Sequence, residues 1–308
     1  MIDLTIYMLI PFFLSAILVI PLIWIARKLN FLDYPNERSS HKEPTPLLGG
    51  AAIVISFYFC LTYFSIRTGT GFHAPFIYFL PMVLFLLGLY DDFRKTTLDY
   101  KIKLFIEAIL AIGFIQSGFV LILTQIIIVD KIITLIWVIG FINAFNLLDN
   151  MNGHSASVAL IASGFMGIFF ISHHLHDLVV LSLVLAGSIA GFLMFNFPRA
   201  KIFMGDAGSL FIGALISLVS IKFNNSIALE LQSVPIFFTL CFLIIPFSDT
   251  LFVTISRLAA GNPIYVADQK HLSHQLVKKG FSPAFSVIIL ALVALIFASV
   301  PLFMLSFS

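Results

Sequence analysis

Two adjacent aspartates, Asp91 and Asp92, close the apolar run of GLYDDFRKT, with Arg94 and Lys95 directly behind them. Neighbouring carboxylates repel unless something positive shares them. A hard cation such as Mg2+ suits the pair, because it binds through one or two carboxylates and phosphate oxygens and keeps several waters. The same residues also fit a solvated helix end, where acidic groups oppose the helix dipole. A second polar stripe lies in NAFNLLDNMNGHS, where Asn143, Asn146, Asp149 and Asn150 recur at helical spacing and share one face. Amides inside a membrane helix can serve as interhelical glue. A carboxylate at the aqueous end of the stripe makes a polar site wall the better reading.

Two further segments carry groups suited to phosphate. In FPRAKIFMGDAGSLFIG, Gly205, Asp206, Gly208 and Ser209 precede an apolar helix. Such a turn offers amides to an anion and Asp206 to a metal, or else it is a plain helix start capped by Asp206 or Ser209. In ADQKHLSHQLVKKG, His271 and His274 would face the same way on a helix, among Lys270, Lys278 and Lys279. A zinc site would need more ligands close by, so phosphate or anionic headgroups suit this basic loop better. The loop DYPNERSSHKEPTPLLGG brings Arg38, His41 and Lys42 between Pro35, Pro44 and Pro46, which fix an extended or turning path.

Lipid must surround the elements that position these groups. Of the 308 residues 60% are hydrophobic and 10% charged, with a mean hydropathy of +1.08, whereas soluble domains carry about 25% charged residues. A membrane-crossing helix needs about 20 mostly apolar residues. Segments near 4–26, 47–66, 75–90, 102–123, 131–148, 155–173, 177–196, 208–222, 234–256 and 284–306 meet or approach that length. The expected fold is therefore all-α, a polytopic bundle of about ten transmembrane helices forming one membrane domain over residues 1–308. The first segment is too long for a signal peptide and lacks a cleavage site before Arg27, so it is expected to stay. Cys60 and Cys241 both fall inside spans, which leaves no disulfide framework.

Lys and Arg mark the cytoplasmic loops. One set of loops holds Arg27, Lys28, Arg38, Lys42, Arg94, Lys95, Lys101, Lys103, Arg199, Lys201, Arg257, Lys270, Lys278 and Lys279, and the other only Arg67, Lys131 and Lys222. This asymmetry puts both termini outside and every chemical motif on the cytoplasmic side. Carboxylates for a divalent cation, basic groups and Gly-rich turns on one face suggest phosphoryl transfer from a soluble donor to a membrane acceptor. A transporter would instead place ionisable groups near the midplane, where only Glu107 and Asp249 are candidates. An intramembrane aspartyl protease would need facing aspartates within the bilayer, and Asp91 and Asp206 lie too near the surface.

From Asp33 to Gly280, these motifs and their order resemble the polyprenyl-phosphate N-acetylhexosamine-1-phosphate transferases, a glycosyltransferase group that includes phospho-N-acetylmuramoyl-pentapeptide transferase. The resemblance implies ten transmembrane helices in the bacterial cytoplasmic membrane and a cytoplasmic site using Mg2+, with Mn2+ as its substitute. It implies transfer of a sugar 1-phosphate from a UDP-N-acetylhexosamine to undecaprenyl phosphate with release of UMP. Carried over by motif, Asp91 and Asp92 resemble the paired aspartates near metal and lipid phosphate, and Asp206 the direct Mg2+ ligand, with Asp92 beside it. Phe203 resembles the aromatic that packs on uracil, Asn146 and Asp149 line the nucleotide and metal region, and Lys42 resembles a basic nucleotide-site residue. His271 and His274 resemble the phosphate-binding histidines of the last loop. Two departures stand out: Asn152 replaces a second carboxylate of the family motif, which implies altered donor recognition, and His-Leu-Ser-His is more widely spaced than in many relatives. The first loop looks closer to the branch that starts surface polysaccharides. Membrane lipids are the expected surroundings, nucleic acid is no partner, and a homodimer is one open option. The rival reading is a transporter or a lipid-phosphate-binding relative without turnover.

Overall fold

The computed structural model describes residues 5–35, 43–68, 75–94, 98–230, 235–263 and 270–305. Its elements are α1 (Ile6–Lys28), β1 (Leu32–Asp33), β2 (Thr45–Pro46), α2 (Gly49–Thr68), α3 (Pro75–Phe93), α4 (Tyr100–Gln116), α5 (Ile127–Leu148), α6 (His154–Ser172), α7 (His176–Asn196), α8 (Gly205–Glu230), α9 (Pro235–Phe242), α10 (Ile244–Ala259), α11 (Leu272–Lys278) and α12 (Pro283–Leu305). Seven of the described helices are long and apolar enough to cross a membrane, and the bent pair α9 and α10 makes an eighth. Helices α3 and α4, of 19 and 17 residues, fall on the other two expected segments, α4 stopping at Gln116 short of the expected 123. The chain is a polytopic helical membrane protein.

The helix α8 is the axis of the bundle: 89% of its membrane-length window is buried inside the protein, against 17% for α1. It packs on α3 and α5, with α2, α6 and α9 around it. Lipid is as apolar as leucine, so helices in a membrane associate through close packing and interhelical hydrogen bonds rather than by escaping water. Both devices are present. Phe57 of α2 meets Phe211 of α8 edge to face at 5.5 Å, and Trp137 Nε1–H of α5 donates to Ser220 Oγ of α8 at 3.0 Å. Gly88 of α3 lies so close to the start of α8 that a Cβ there would run into the backbone of Asp206 and Ala207. That approach brings Asp92, one turn later on the same face, to the first amides of α8.

Three expectations about the spans change. The segment expected at 234–256 is broken, with α9 and α10 meeting at 86°. Pro246 is the cause: it lacks the N–H that would bond Phe242, and its ring clashes with that carbonyl. The eighth helix starts at Gly205, ahead of the expected position 208, so Asp206 stands in its first turn. The apolar stretch 118–126 is a loop whose amides at Leu123 and Thr124 donate to the buried Asp130 carboxylate.

Candidate active site

Helices α3 and α5 end, and α4 and α8 begin, at the same end of the bundle. The side chains gathered there are mostly the ones singled out by type and spacing. Asp92 at the end of α3 turns both carboxylate oxygens to α8: Oδ1 accepts from Asp206 N–H and Oδ2 from Ala207 N–H, each at 3.0 Å. These are amides with no partner inside their own helix. Asp92 therefore does from another helix what an N-cap side chain does locally. Gly205 permits it, with φ at +71° and a missing Cβ that would strike the Asp92 carboxylate. Ser209, an expected cap, instead donates to Gly205 O at 3.1 Å and accepts from Asn146 Nδ2 at 3.0 Å.

Asp206 is the centre of the cluster. Its Oδ1 accepts from Asn146 Nδ2 at 2.9 Å, and its Oδ2 lies 2.6 Å from Lys103 Nζ. The same ammonium lies 2.5 Å from Asp91 Oδ2, and Asp91 Oδ1 accepts from Leu98 N–H at 2.6 Å. Lys103 thus stands between two carboxylates brought in by α3 and α8. Asp149 follows the last residue of α5, and desolvation there, with the Asp206 charge nearby, pushes its carboxyl up to about 7. One turn deeper than Lys103, Glu107 is buried and accepts from Asn143 Nδ2 at 2.5 Å.

The remaining expected residues frame this cluster. Asn152 Nδ2 donates to Pro198 O at 3.2 Å, in the turn after α5. Phe203 is half-buried, and its main chain extends the β1–β2 ribbon: Phe203 N–H donates to Pro46 O at 2.7 Å, and Gly49 N–H donates to Phe203 O at 2.9 Å. His271 is buried and His274 half-buried, with ring centroids 6.1 Å apart. His271 Nδ1 lies 2.6 Å from Asp249 Oδ2. Ser273 Oγ of α11 donates to Asn150 Oδ1 at 3.0 Å, tying the last loop to the end of α5 beside Asp149. Lys42 lies outside the described residues, as do Arg38 and His41.

Spacing alone did not single out Lys103 and Asp249. Lys103 was one more basic residue of a loop. Its signal is a lysine in the first turn of a largely apolar helix, a signal that Lys101 shares. Asp249 and Glu107 were weighed only as midplane charges, yet both are buried inside the protein at 0% and 1% exposure.

An apolar groove of about 280 Å³ runs between α5 and α10, lined by Ile136, Gly140, Ala144, Phe247 and Leu251 among others. It follows α5 towards the carboxylates: Ala144 and Asp149 are separated by about 7.5 Å along a helix. Ile136, Phe247 and Leu251 are exposed at its mouth, so the groove opens to hydrocarbon.

No three carboxylate, His or Cys side chains among the described residues converge as a ready-made metal cage. Mg2+ needs no such cage, since one or two carboxylates with substrate phosphates and waters suffice. The chemistry of the donor set fits: Asp91 and Asp206 bring carboxylate oxygens together around the Lys103 ammonium, at 2.5 and 2.6 Å, and a hard cation would bind beside that group. Both Asp92 oxygens hold helix amides, so its main service is to fix Asp206 in place.

Comparison with known proteins gives the family of the chain. The family model of glycosyl transferase family 4 matches residues 74–224, the stretch that carries Asp91, Asp92, Lys103, Asn146, Asp149 and Asp206. A Bacillus subtilis protein named as a probable undecaprenyl-phosphate N-acetylglucosaminyl 1-phosphate transferase is 32% identical, over 92% of this chain and 80% of that one. An undecaprenyl-phosphate alpha-N-acetylglucosaminyl 1-phosphate transferase of Thermotoga maritima is 31% identical, over 88% and 79%. A phospho-N-acetylmuramoyl-pentapeptide-transferase of Oceanobacillus iheyensis is 34% identical, over 70% and 74%. Likeness at this level runs through most of each protein, and the chain belongs to glycosyl transferase family 4.

Proposed function

We propose that this protein transfers N-acetylhexosamine 1-phosphate from a UDP-sugar to undecaprenyl or another polyprenyl phosphate, releasing UMP, at the cytoplasmic face of the bacterial inner membrane. The observation that carries the reading is the sharing of Lys103 by Asp91 and Asp206, in a protein that also has a lipid-facing apolar groove along α5. A charged headgroup can sit at the carboxylate end while its isoprenoid tail lies along α5. Relatives named for transfer to undecaprenyl or decaprenyl phosphate support the acceptor class.

An oxygen of the lipid phosphate attacks the β-phosphorus of the UDP-sugar in line. The bond from that phosphorus to the bridging oxygen of UMP breaks, and its electron pair leaves with UMP. A phosphate monoester has a second pKa near 6, so the acceptor is largely ionised at neutral pH and needs no strong base. Positioning and charge neutralisation then supply most of the catalysis in this class of reaction. Lys103 neutralises charge between the carboxylates, Asn146 holds Asp206, and Asp91 orients the acceptor or takes its remaining proton. His271 and His274 bind phosphate oxygens, and Phe203 and Asn152 offer an aromatic face and an amide to the base. Mg2+ or Mn2+, held by Asp206 with Asp91 and Asp149 nearby, would screen the diphosphate charge when bound.

The test is UMP release by the purified protein in detergent with undecaprenyl phosphate, Mg2+ and a panel of UDP-N-acetylhexosamines. Release with one donor, lost in Asp206→Ala even at raised Mg2+, is the expected result. Folded protein that releases no UMP from any donor would instead favour a lipid-phosphate-binding relative without turnover.

A further inference from the structure

We infer that Asp249 is a positioning residue that sets the orientation of the His271 ring, an assignment resting on the reading of His271 as a phosphate-binding group. Asp249 lies on α10, 0% exposed, inside a segment otherwise suited to lipid. A buried carboxylate is costly unless its oxygens are satisfied. Both are: Oδ2 accepts from His271 Nδ1–H at 2.6 Å, and Oδ1 accepts from Leu272 N–H at 2.6 Å.

The two contacts act together on one short stretch. A ring nitrogen facing a carboxylate carries a proton, so Nδ1 is committed to Asp249 and Nε2 is the nitrogen left for a ligand. Turning the ring over would replace Nδ1 with a carbon and forfeit the bond. Leu272 N–H meanwhile pins the backbone next to that ring, fixing where the ring starts as well as how it is turned. The far side of α11 is held separately, by Ser273 Oγ on Asn150 Oδ1 at 3.0 Å. His271 is thereby fixed from α10 and from the end of α5 at once. A partner that holds the second nitrogen of a functional histidine in this way is worth about 10- to 100-fold when removed from metal-site histidines.

The test is a double-mutant cycle in the UMP-release assay, using full-length protein in detergent and the variants Asp249→Asn, His271→Ala and both together. The expected result is that Asp249→Asn lowers kcat/KM by about 10- to 100-fold in the parent but by less than about twofold when His271 is already alanine. An equal loss in both backgrounds would show that Asp249 acts elsewhere and would overturn the assignment, leaving the phosphate role of His271 standing. Parental turnover by His271→Ala would overturn that role itself, and the assignment with it. Asp249→Glu, which keeps the carboxylate, is expected to recover part of the loss. It replaces Asp249→Asn in the cycle, under the same criterion, should the asparagine variant not fold.

Discussion

The carboxylate of Asp92, at the end of one helix, holds the amide of Asp206, at the start of another, at 3.0 Å. The proposed metal carboxylate is thus fixed through its own backbone by a neighbour 114 residues earlier in the chain. Asp92→Ala would leave the amides of Asp206 and Ala207 without that acceptor. Loss of an N-cap acceptor costs about 1–2 kcal/mol. The expected outcome is a thermal midpoint lower by a few degrees together with a turnover loss of at least about tenfold, since Asp206 drifts from its place. Midpoint and UMP release measured on one preparation check both, and an unchanged midpoint would remove the capping role.

Lys103 is the cation between Asp91 and Asp206. Lys103→Met keeps the length of the side chain and deletes the charge, leaving the carboxylates to repel. UMP release is expected to fall by about 100-fold or more, the scale seen when one electrostatic group is removed from an active site. Lys103→Arg is expected to restore little, because a planar fork does not replace a compact ammonium. Turnover within about threefold of the parent in Lys103→Met would contradict its place in the reaction.

Asp149, raised to about 7 by desolvation and by Asp206, gives a sign for the pH dependence. Below that value the carboxyl is neutral and weak towards a cation; above it the carboxylate forms and attracts one. The Mg2+ concentration needed for half-maximal activity is expected to rise as pH falls from 8 to 6. Asp149→Asn should flatten that dependence. A requirement independent of pH in the parent would separate Asp149 from the cation.

Gly140 lines the groove, and a Cβ placed there meets nothing within 4 Å. Gly140→Leu is therefore expected to fill the groove without disturbing the fold. The KM for a long polyprenyl phosphate should rise about tenfold or more while the KM for the UDP-sugar stays within about twofold. A rise confined to the nucleotide substrate would place the lipid tail elsewhere.

The apolar runs were legible because a spanning helix must satisfy its own backbone and present carbon to lipid, so most helix ends fall within a few residues of the expected ones. The bend after Phe242 was legible in principle, since Pro246 stands four residues on. Length and hydropathy alone passed over it. The carboxylates of the site could be picked by type, but their partners could not. Lys103 meets Asp206 across 103 residues and Asp249 meets His271 across 22, and sequence distance of that kind becomes contact only when the bundle brings the first turns of α4 and α8, or α10 and the residue before α11, to one place. The cap of α8 is the same case: local spacing pointed to Ser209 or Asp206, and Gly88 instead lets a third helix supply it.

The groove between α5 and α10 opens sideways, past Ile136, Phe247 and Leu251, into the bilayer. An acceptor that enters there never leaves the membrane, and the product, with the same tail and a larger head, departs by the same side door. Saturation and product inhibition should therefore follow the mole fraction of polyprenyl phosphate in the bilayer rather than its amount per volume of solution. Diluting the acceptor with inert lipid at constant total acceptor should slow the enzyme.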